Sequence, residues 1–536
     1  MRRFHARERG CPARNGASGI NFGARRPRSR HCGDTMKKSV MLLAFSLLLP
    51  ALVLSQTVPL TILHTNDTHS HLLPFSYPAV VPPGSDLAGL TVRTDIGGIA
   101  RRATLVRRLR EELGKQGTTV WLVDAGDFSD GTPFSIEYHG EADAAAMNAV
   151  GYDFGALGNH EFNNPLARLK NLISMFRYPV LCANVTETST GRLLTRASEI
   201  RTLGGIKIGI FGLVTHDTAM YPAAREGLTV SDEIKTSQEM VHMLRPNADI
   251  VIAISHSGEL LDEKIAAAVQ GIDVIVGGHS HTRLPSGDFV WRSDQLKAKE
   301  VNGTVIVQAH QWGGELGRLD LLFEKDEQST WHVERYRARL IPVTPDIPEN
   351  SEVASVVERY WKPIAARYGK IIGQAAADFM ERGDDLANYN LVADSVRQTY
   401  GTEIDLENMG GVRAPLLKGT ITLENLADMD PFDNTVVTFR VSGRMLKTIL
   451  ETSRPAVSGL RYRIENNTLT SVTVGGQPLR EDRVYTGTTN SYFARTALKE
   501  IETRDTGKQR LEVLIEYIHN TGTVRPVFDG RRVIIG

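Results

Sequence analysis

From Pro59 to about Val343 the chain alternates short apolar runs with amphipathic stretches and Gly-rich turns. The runs include LTILHT (60–65), TVWLVDAGD (119–127), IKIGIFGLV (206–214), DIVIAISHS (249–257), IDVIVGGHS (272–280) and TVIVQAH (304–310). Apolar runs of strand length, spaced by helical patterns, predict α/β layering. Ile99, Ala103, Val106, Leu109 and Leu113 recur at helical spacing among arginines and glutamates, which predicts an amphipathic helix on a sheet with its charges solvated. Pro342, Pro345 and Pro348 end the alternation, and Glu352 to Tyr368 then reads as a helix, with Pro363 a point of kinking. From Gly369 a second unit begins, with a helix near Leu391 to Tyr400, a Gly-rich turn at Met409 to Val412, and a strand within TVVTFRVSG (435–443). The expected organisation is a first domain over 57–345, a linker helix over 349–368 and a second domain over 369–536. The mature part shows no internal repeat and no low-complexity tract.

The 536 residues balance 62 Lys plus Arg against 62 Asp plus Glu, but the balance is uneven along the chain. Residues 1–55 hold nine arginines, Lys37 and Lys38 against only Glu8 and Asp34, so the remainder has 51 basic and 60 acidic residues, a net of −9. An acidic body lacks the positive field that polyanion binding needs, so no nucleic-acid polymer is expected as a partner. Lys37 and Lys38 followed by the apolar run Val40 to Leu54 form a signal-peptide pattern over 36–55, with cleavage expected after Ser55. Residues 1–35, rich in Arg, Gly and Ser without apolar period, read as a misplaced start ahead of Met36. Of three cysteines only Cys182 lies in the body, so no intrachain disulfide is expected there. Export to a periplasm or the medium, without lipid or membrane anchor and as a monomer or weak dimer, is the expected state.

Several apolar runs lead straight into polar residues able to hold metals. Asp67 and His69 follow the first, where period-2 geometry is expected to send both side chains from one face. Asp124-Ala-Gly-Asp127 closes the second, with Gly126 permitting a tight turn that brings Asp127 inward. Asn159 and His160 lie in GNHEF, His256 in ISHSG, and His279 and His281 in GGHSH. A single strand-end Asp or His is ordinarily a cap or a satisfied polar group. Five segments placing carboxylate, amide or imidazole at such ends demand a shared purpose. Mixed O and N donors without thiolate suit zinc, manganese, cobalt or iron in a reactive centre rather than a structural zinc. Two such divalent cations bridged by one carboxylate promote hydrolysis of phosphate esters. An imidazole beside them can stabilise phosphoryl charge or protonate the leaving oxygen, and His160 is the candidate.

With these motifs in hand, the chain resembles the calcineurin-like metallophosphoesterases, and more narrowly the secreted 5'-nucleotidase and UDP-sugar hydrolase family, over nearly the whole mature part. The resemblance implies a four-layer α/β sandwich holding the metals, a linker helix, and an α/β substrate-binding domain that rotates to close the site. It implies that Asp67, His69, Asp127 and His281 hold one metal, that Asp127 bridges to a second completed by Asn159, His256 and His279, and that His160 is the catalytic imidazole. In the second domain, Asn408-Met-Gly-Gly-Val-Arg413 is similar to the family's N-G-G-G-[IV]-R, with Asn408 and Arg413 as substrate ligands. Arg382 falls near a second phosphate-binding arginine, Phe432 and Asn434 lie in a P-F-G-N-like segment whose Phe stacks on a base, and Gly459 matches a position beside the base. Tyr492 keeps the aromatic of Y-[FL]-A-x-G-G-D.

Two departures from the family pattern bear on chemistry. The Asp that follows G-N-H-E-F is here Asn163, whose neutral amide can position an imidazole but supports its cation less. The ribose-binding Asp is replaced by Leu498, which removes a discriminating polar contact. The complete ligand set and Arg413 make release of phosphate from nucleotides the expected activity. A 2',3'-cyclic-nucleotide phosphodiesterase, a hydrolase of non-nucleotide phospho or sulfur esters, and a catalytically silent binding protein stay open as alternatives.

Overall fold

The computed structural model describes residues 57–78, 90–284, 290–291, 300–301, 303–326, 328–382 and 385–535. The expected leader, 1–35 and 36–55, and the side chain of Arg382 lie outside the described residues. Two sheets form the centre of the first domain. In one of seven strands, Thr57–Thr65 lies between Glu315–Lys325, antiparallel to it, and Thr119–Asp124, parallel to it, followed outward by Phe154–Ala156 and Val180–Leu181. In the other, of six strands, Ile206–Val214, Ile250–His256, Val274–Gly277 and Thr304–Val307 run parallel in that order.

These strands are apolar on both faces, and period 2 distributes their side chains between two cores. Leu60, Ile62, Val123 and Phe154 of one sheet meet Ile208, Ile210, Ile252 and Val276 of the other in a core between the sheets. The alternate residues face outward. Leu63 and Leu122 pack under helices Ile99–Lys115 and Glu141–Val150, while Phe211, Leu213, Val251 and Ala253 pack under Glu233–Leu244 and Glu259–Ala268. The result is the four-layer helix–sheet–sheet–helix sandwich expected above.

Helix Ser351–Trp361, within the expected linker, buries Val353 and Val357 in the outer core of the first domain. Lys362 keeps a helical backbone (φ −52°, ψ −41°), but Pro363 has no N–H to continue the ladder, so the helix stops at Trp361 and a short one resumes at Ala365–Tyr368. The second domain has a five-stranded sheet in the order Ala456–Ser458, Ile404–Glu407, Val484–Asn490, Thr435–Ser442 and Thr503–Gln509. Helices Ala387–Tyr400 and Arg510–Thr521 pack with it, and helix Gly443–Ser453 and a four-stranded sheet share a further core with it. Ala414 is buried with Tyr77, Ile96 and Trp312, which docks the loop after Asn408 onto the first domain.

Candidate active site

Every sequence-predicted metal ligand sits at or just beyond the carboxyl end of a parallel strand, where an open α/β sheet leaves a crevice for ligands. The pairings Thr65 with Asp124, Asp124 with Gly155, His256 with Val214, and Ser255 with Gly277 bring those ends level. Backbone bonds then lace the loops: Asp67 N to Gly126 O at 2.9 Å, His69 N to Asp127 O at 3.0 Å, and Ser70 N to Phe128 O at 2.8 Å. Gly126 (φ 89°) and Gly158 allow the closest approach, since a Cβ on Gly158 would lie 2.1 Å from Asp127 Oδ1.

The expected extended geometry at Asp67 and His69 is corrected by the structure. Their φ angles are 50° and 45°, and Asp127 (54°), His279 (75°) and His281 (54°) share the left-handed region. Each such non-Gly residue costs on the order of 1–3 kcal/mol and persists where the surroundings dictate it. The two aspartates and histidines converge because their loops curl back on themselves, which period 2 does not describe.

Two donor groups result, Asp67 with His69 and His281, and Asp127 with His256 and His279, each with ligand atoms within 4.8 Å of one another. His281 Nε2 lies 3.2 Å from Asp67 Oδ1 and 3.1 Å from His69 Nε2. His256 Nε2 lies 3.0 Å from Asp127 Oδ2, and Asn159 Oδ1 faces both His256 Nε2 (3.2 Å) and His279 Nδ1 (2.9 Å). Asp127 Oδ2 also lies 3.8 Å from His69 Nε2, so one oxygen faces both groups, while Asp127 Oδ1 accepts the backbone N–H of His160 at 2.9 Å.

The donor set fits divalent cations. His69 Nδ1 lies 3.1 Å from the carbonyl of Ser129 and His256 Nδ1 lies 2.7 Å from that of Ala125, so each ring gives its Nδ1 proton away and aims the Nε2 lone pair at its group. Burial, then the Arg413 charge, hold His69 well below the usual imidazole range, and burial with His256 lowers His279 to about 4. Burial opposes a charge on His256, but Asp127 outweighs it and raises the ring to about 10, so a proton lies where a cation would displace it.

His160 stands beside this centre, its Nε2 3.9 Å from Asp127 Oδ2. Its Nδ1 meets Asp130 Oδ2 at 2.8 Å and lies 3.1 Å from Asn163 Nδ2, and Asn163 Nδ2 itself donates to Asp130 Oδ2. From the second domain, Arg413 Nη2 reaches within 2.6 Å of His69 Nε2, and the Phe432 ring lies 5.9 Å from the His160 ring, tilted by 22°. Asn408 Oδ1 accepts from Asn490 Nδ2 at 2.8 Å and Asn434 Oδ1 from Ser491 Oγ at 3.1 Å, which ties both amides to the junction of strand Val484–Asn490 and helix Ser491–Ala497. Tyr492 is half-buried near Asp217, Arg225 and Arg495. Gly459 lines a separate cavity of about 230 Å³ with Asp394, Arg397 and Arg531. Leu498 is buried in the core with Ile449 and Phe493.

Three residues at the site escaped sequence reasoning. Tyr221 accepts from Asn159 Nδ2 at 2.6 Å, and Glu161 accepts the N–H groups of Asp127 (3.1 Å), Ser129 (3.1 Å) and Gly158 (2.7 Å), tying two ligand loops together. Asp130 is the third. Their one signal was proximity in sequence, for Glu161 to His160 and for Asp130 to Asp127.

Comparison with known proteins places this geometry. Residues 60–283 match the calcineurin-like phosphoesterase family, and residues 371–498 match the 5'-nucleotidase C-terminal domain. A 5'-nucleotidase of Diplobatis ommata is 30% identical, covering 91% of this chain and 92% of its own, and one of Vibrio vulnificus is 28% identical, covering 82% and 85%. Among solved structures, the 5'-nucleotidase precursor of Thermus thermophilus superposes with a TM-score of 0.77 at 29% identity, over 89% of this chain and 99% of that one.

Proposed function

Because the chain belongs to the 5'-nucleotidase family and is a metal-dependent phosphoester hydrolase, we propose that it releases phosphate from nucleotides at a two-cation site outside the cytoplasm. The observation that carries this reading is Arg413. A guanidinium supplied by the second domain reaches the first donor group, where it can grip a phosphate by two parallel N–H bonds. Asp67, His69 and His281 would hold one cation, His256, His279 and Asn159 the other, with Asp127 facing both. When bound, the cations supply Lewis acidity that generates the nucleophile from water and offsets phosphoryl charge. His160 Nε2 faces the same space and holds a proton for the leaving oxygen. Phe432 offers an aromatic face beside it for a base, and the resemblance assigns Asn408, Asn434 and Tyr492 to the same substrate pocket.

The test is phosphate release by the mature chain from AMP, UDP-glucose and 2',3'-cyclic AMP, with manganese, with zinc and with chelator. Metal-dependent turnover of any of the three supports the reading, and silence on all three refutes nucleotide hydrolysis. Leu498, buried in an apolar core, supplies no ribose ligand and favours a second reading in which the alcohol half of the ester is not a ribose. Inhibition by free nucleosides separates the two. Export is supported by the pattern over 36–55, and amino-terminal sequencing of the exported chain should begin at Gln56. Among the described residues no helix is long and apolar enough to cross a membrane.

A further inference from the structure

We propose that Asp130 supplies the carboxylate that orients His160, with Asn163 serving only to hold that carboxylate in place. The inference rests on the hydrolytic reading above, in which His160 hands a proton to the leaving oxygen. Three contacts carry it. His160 Nδ1 lies 2.8 Å from Asp130 Oδ2, Asn163 Nδ2 donates to the same oxygen, and Asn163 Nδ2 lies 3.1 Å from His160 Nδ1. The amide nitrogen is donor-only, and so is a protonated Nδ1, so these two cannot bond each other. Both donate to the carboxylate. The Nδ1 proton is thereby fixed by Asp130, and Nε2 is left facing Asp127 Oδ2, 3.9 Å away, where the reacting group would sit.

The chain builds this contact at a cost. Asp130 lies three residues past Asp127, and its φ of 75° turns it back toward the site rather than onward along the loop. Aspartate and asparagine tolerate that conformation better than most residues. The His160 and Asp130 side chains are 11% and 17% exposed, shielded enough for a charge-assisted bond to matter. Phe432 covers the His160 ring on one side. In sequence, the residue three past His160 is the natural orienting position, and it is an amide here. In space, the negative charge is present and arrives from a different loop.

The deciding experiment is a charge swap. Asp130→Asn keeps size and backbone tolerance, and Asp130→Asn/Asn163→Asp returns one carboxylate to the pair from the other side. Asp130→Asn is expected to lower kcat on AMP by about 10²–10⁴-fold, the range of a lost general acid, with KM changed less than about threefold. It should spare p-nitrophenyl phosphate, whose leaving group needs no proton. The double variant should recover kcat to within about tenfold of the parent, with thermal midpoint and metal content by mass spectrometry unaltered in both. An independent readout is the downfield Nδ1 proton resonance of ¹⁵N-histidine-labelled protein, assigned by its loss in His160→Gln. It should vanish in Asp130→Asn and return in the double variant. An unchanged resonance and kcat in Asp130→Asn, or a loss that the swap does not reverse, overturns the assignment. If the parent hydrolyses none of the esters while the resonance behaves as expected, the hydrolytic reading fails and the Asp130–His160 pairing stands.

Discussion

Replacement of Arg510 by Met should destabilise the second domain while leaving the first intact. Arg510 is fully buried at the start of helix Arg510–Thr521. Its guanidinium donates to Asp430 Oδ2 (2.8 Å) and Oδ1 (2.7 Å), to the carbonyl of Gly411 (2.7 Å) and to Glu407, and both carboxylates are themselves completely buried. Methionine matches the stem but leaves two acids without a cation, and breaking a buried pair in this way costs about 3–5 kcal/mol. That is a large share of the roughly 5–15 kcal/mol that holds a domain together. Burial pushes Glu407 up and Arg510 pulls it back, so removing Arg510 raises Glu407 further. A carboxyl raised in the folded state favours folding at low pH and loses that advantage as pH climbs, so the penalty should be larger at pH 8 than at pH 5. All five tryptophans lie at or before position 361, and replacing by Phe the two that pack on the second domain, Trp312 beside Ala414 and Trp361 beside Ala427 and Leu423, leaves fluorescence that follows the first domain. In urea, far-ultraviolet circular dichroism should show an early transition that tryptophan fluorescence does not. Coincident transitions at the parent midpoint, or a loss below about 1 kcal/mol, would refute the claim that Arg510 neutralises these acids.

Other expectations are narrower. Gly158→Ala drives a Cβ to 2.1 Å from Asp127 Oδ1 and 2.3 Å from its backbone nitrogen, so the variant should bind less than one metal per chain by mass spectrometry even where it still folds. Burial raises Asp262 to about 8, with Ser255 Oγ donating to it at 2.6 Å. The folded chain therefore keeps this proton across about pH 4–8 while the unfolded chain releases it, and stability falls as pH rises through that window. In chelator, Asp262→Asn should flatten that slope and gain at least about 1 kcal/mol at pH 8 by urea titration, whereas a steeper slope would contradict it. Arg413→Ala should raise KM for AMP at least about tenfold, since a charged phosphate contact is worth on the order of 1.5–3 kcal/mol. With Leu498 in the core, kcat/KM for AMP and dAMP should agree within about tenfold, and a hundredfold preference for the ribonucleotide would point to a ribose ligand elsewhere in the pocket.

What could be read in advance follows from how each residue reaches its place. Asp67, Asp127, His256 and His279 were legible because each closes an apolar run, and parallel strands bring such ends together whatever the detail of the loops. The apolar run DIVIAISHS likewise announced a strand, and the structure buries its alternate residues in two cores, Ile252 and Ile254 in one and Val251 and Ala253 in the other. The route by which Asp67 and His69 converge was misjudged, because left-handed conformations at non-glycine residues carry no sequence signal of their own. Asp130 looks like any polar turn residue until its φ is known. Tyr221 lies 62 positions from Asn159, and only the fold makes them neighbours. Gly459 was assigned by motif alone, and it lines a different cavity with Arg397 and Asp394.

Arg413 reaches the first donor group and Phe432 the His160 ring from beyond residue 370, whereas the residues of both donor groups lie before 282. Each half has its own cores, so in the function proposed above hydrolysis and recognition are written in separate stretches of chain. Mutation can then redraw what is recognised without disturbing what is done to it. Met409, which is exposed, and Leu498, which is buried in a core of its own domain, both fall in the second stretch. A lineage built this way can explore new esters at little risk to its chemistry, and substrate range should drift faster among its members than reaction type.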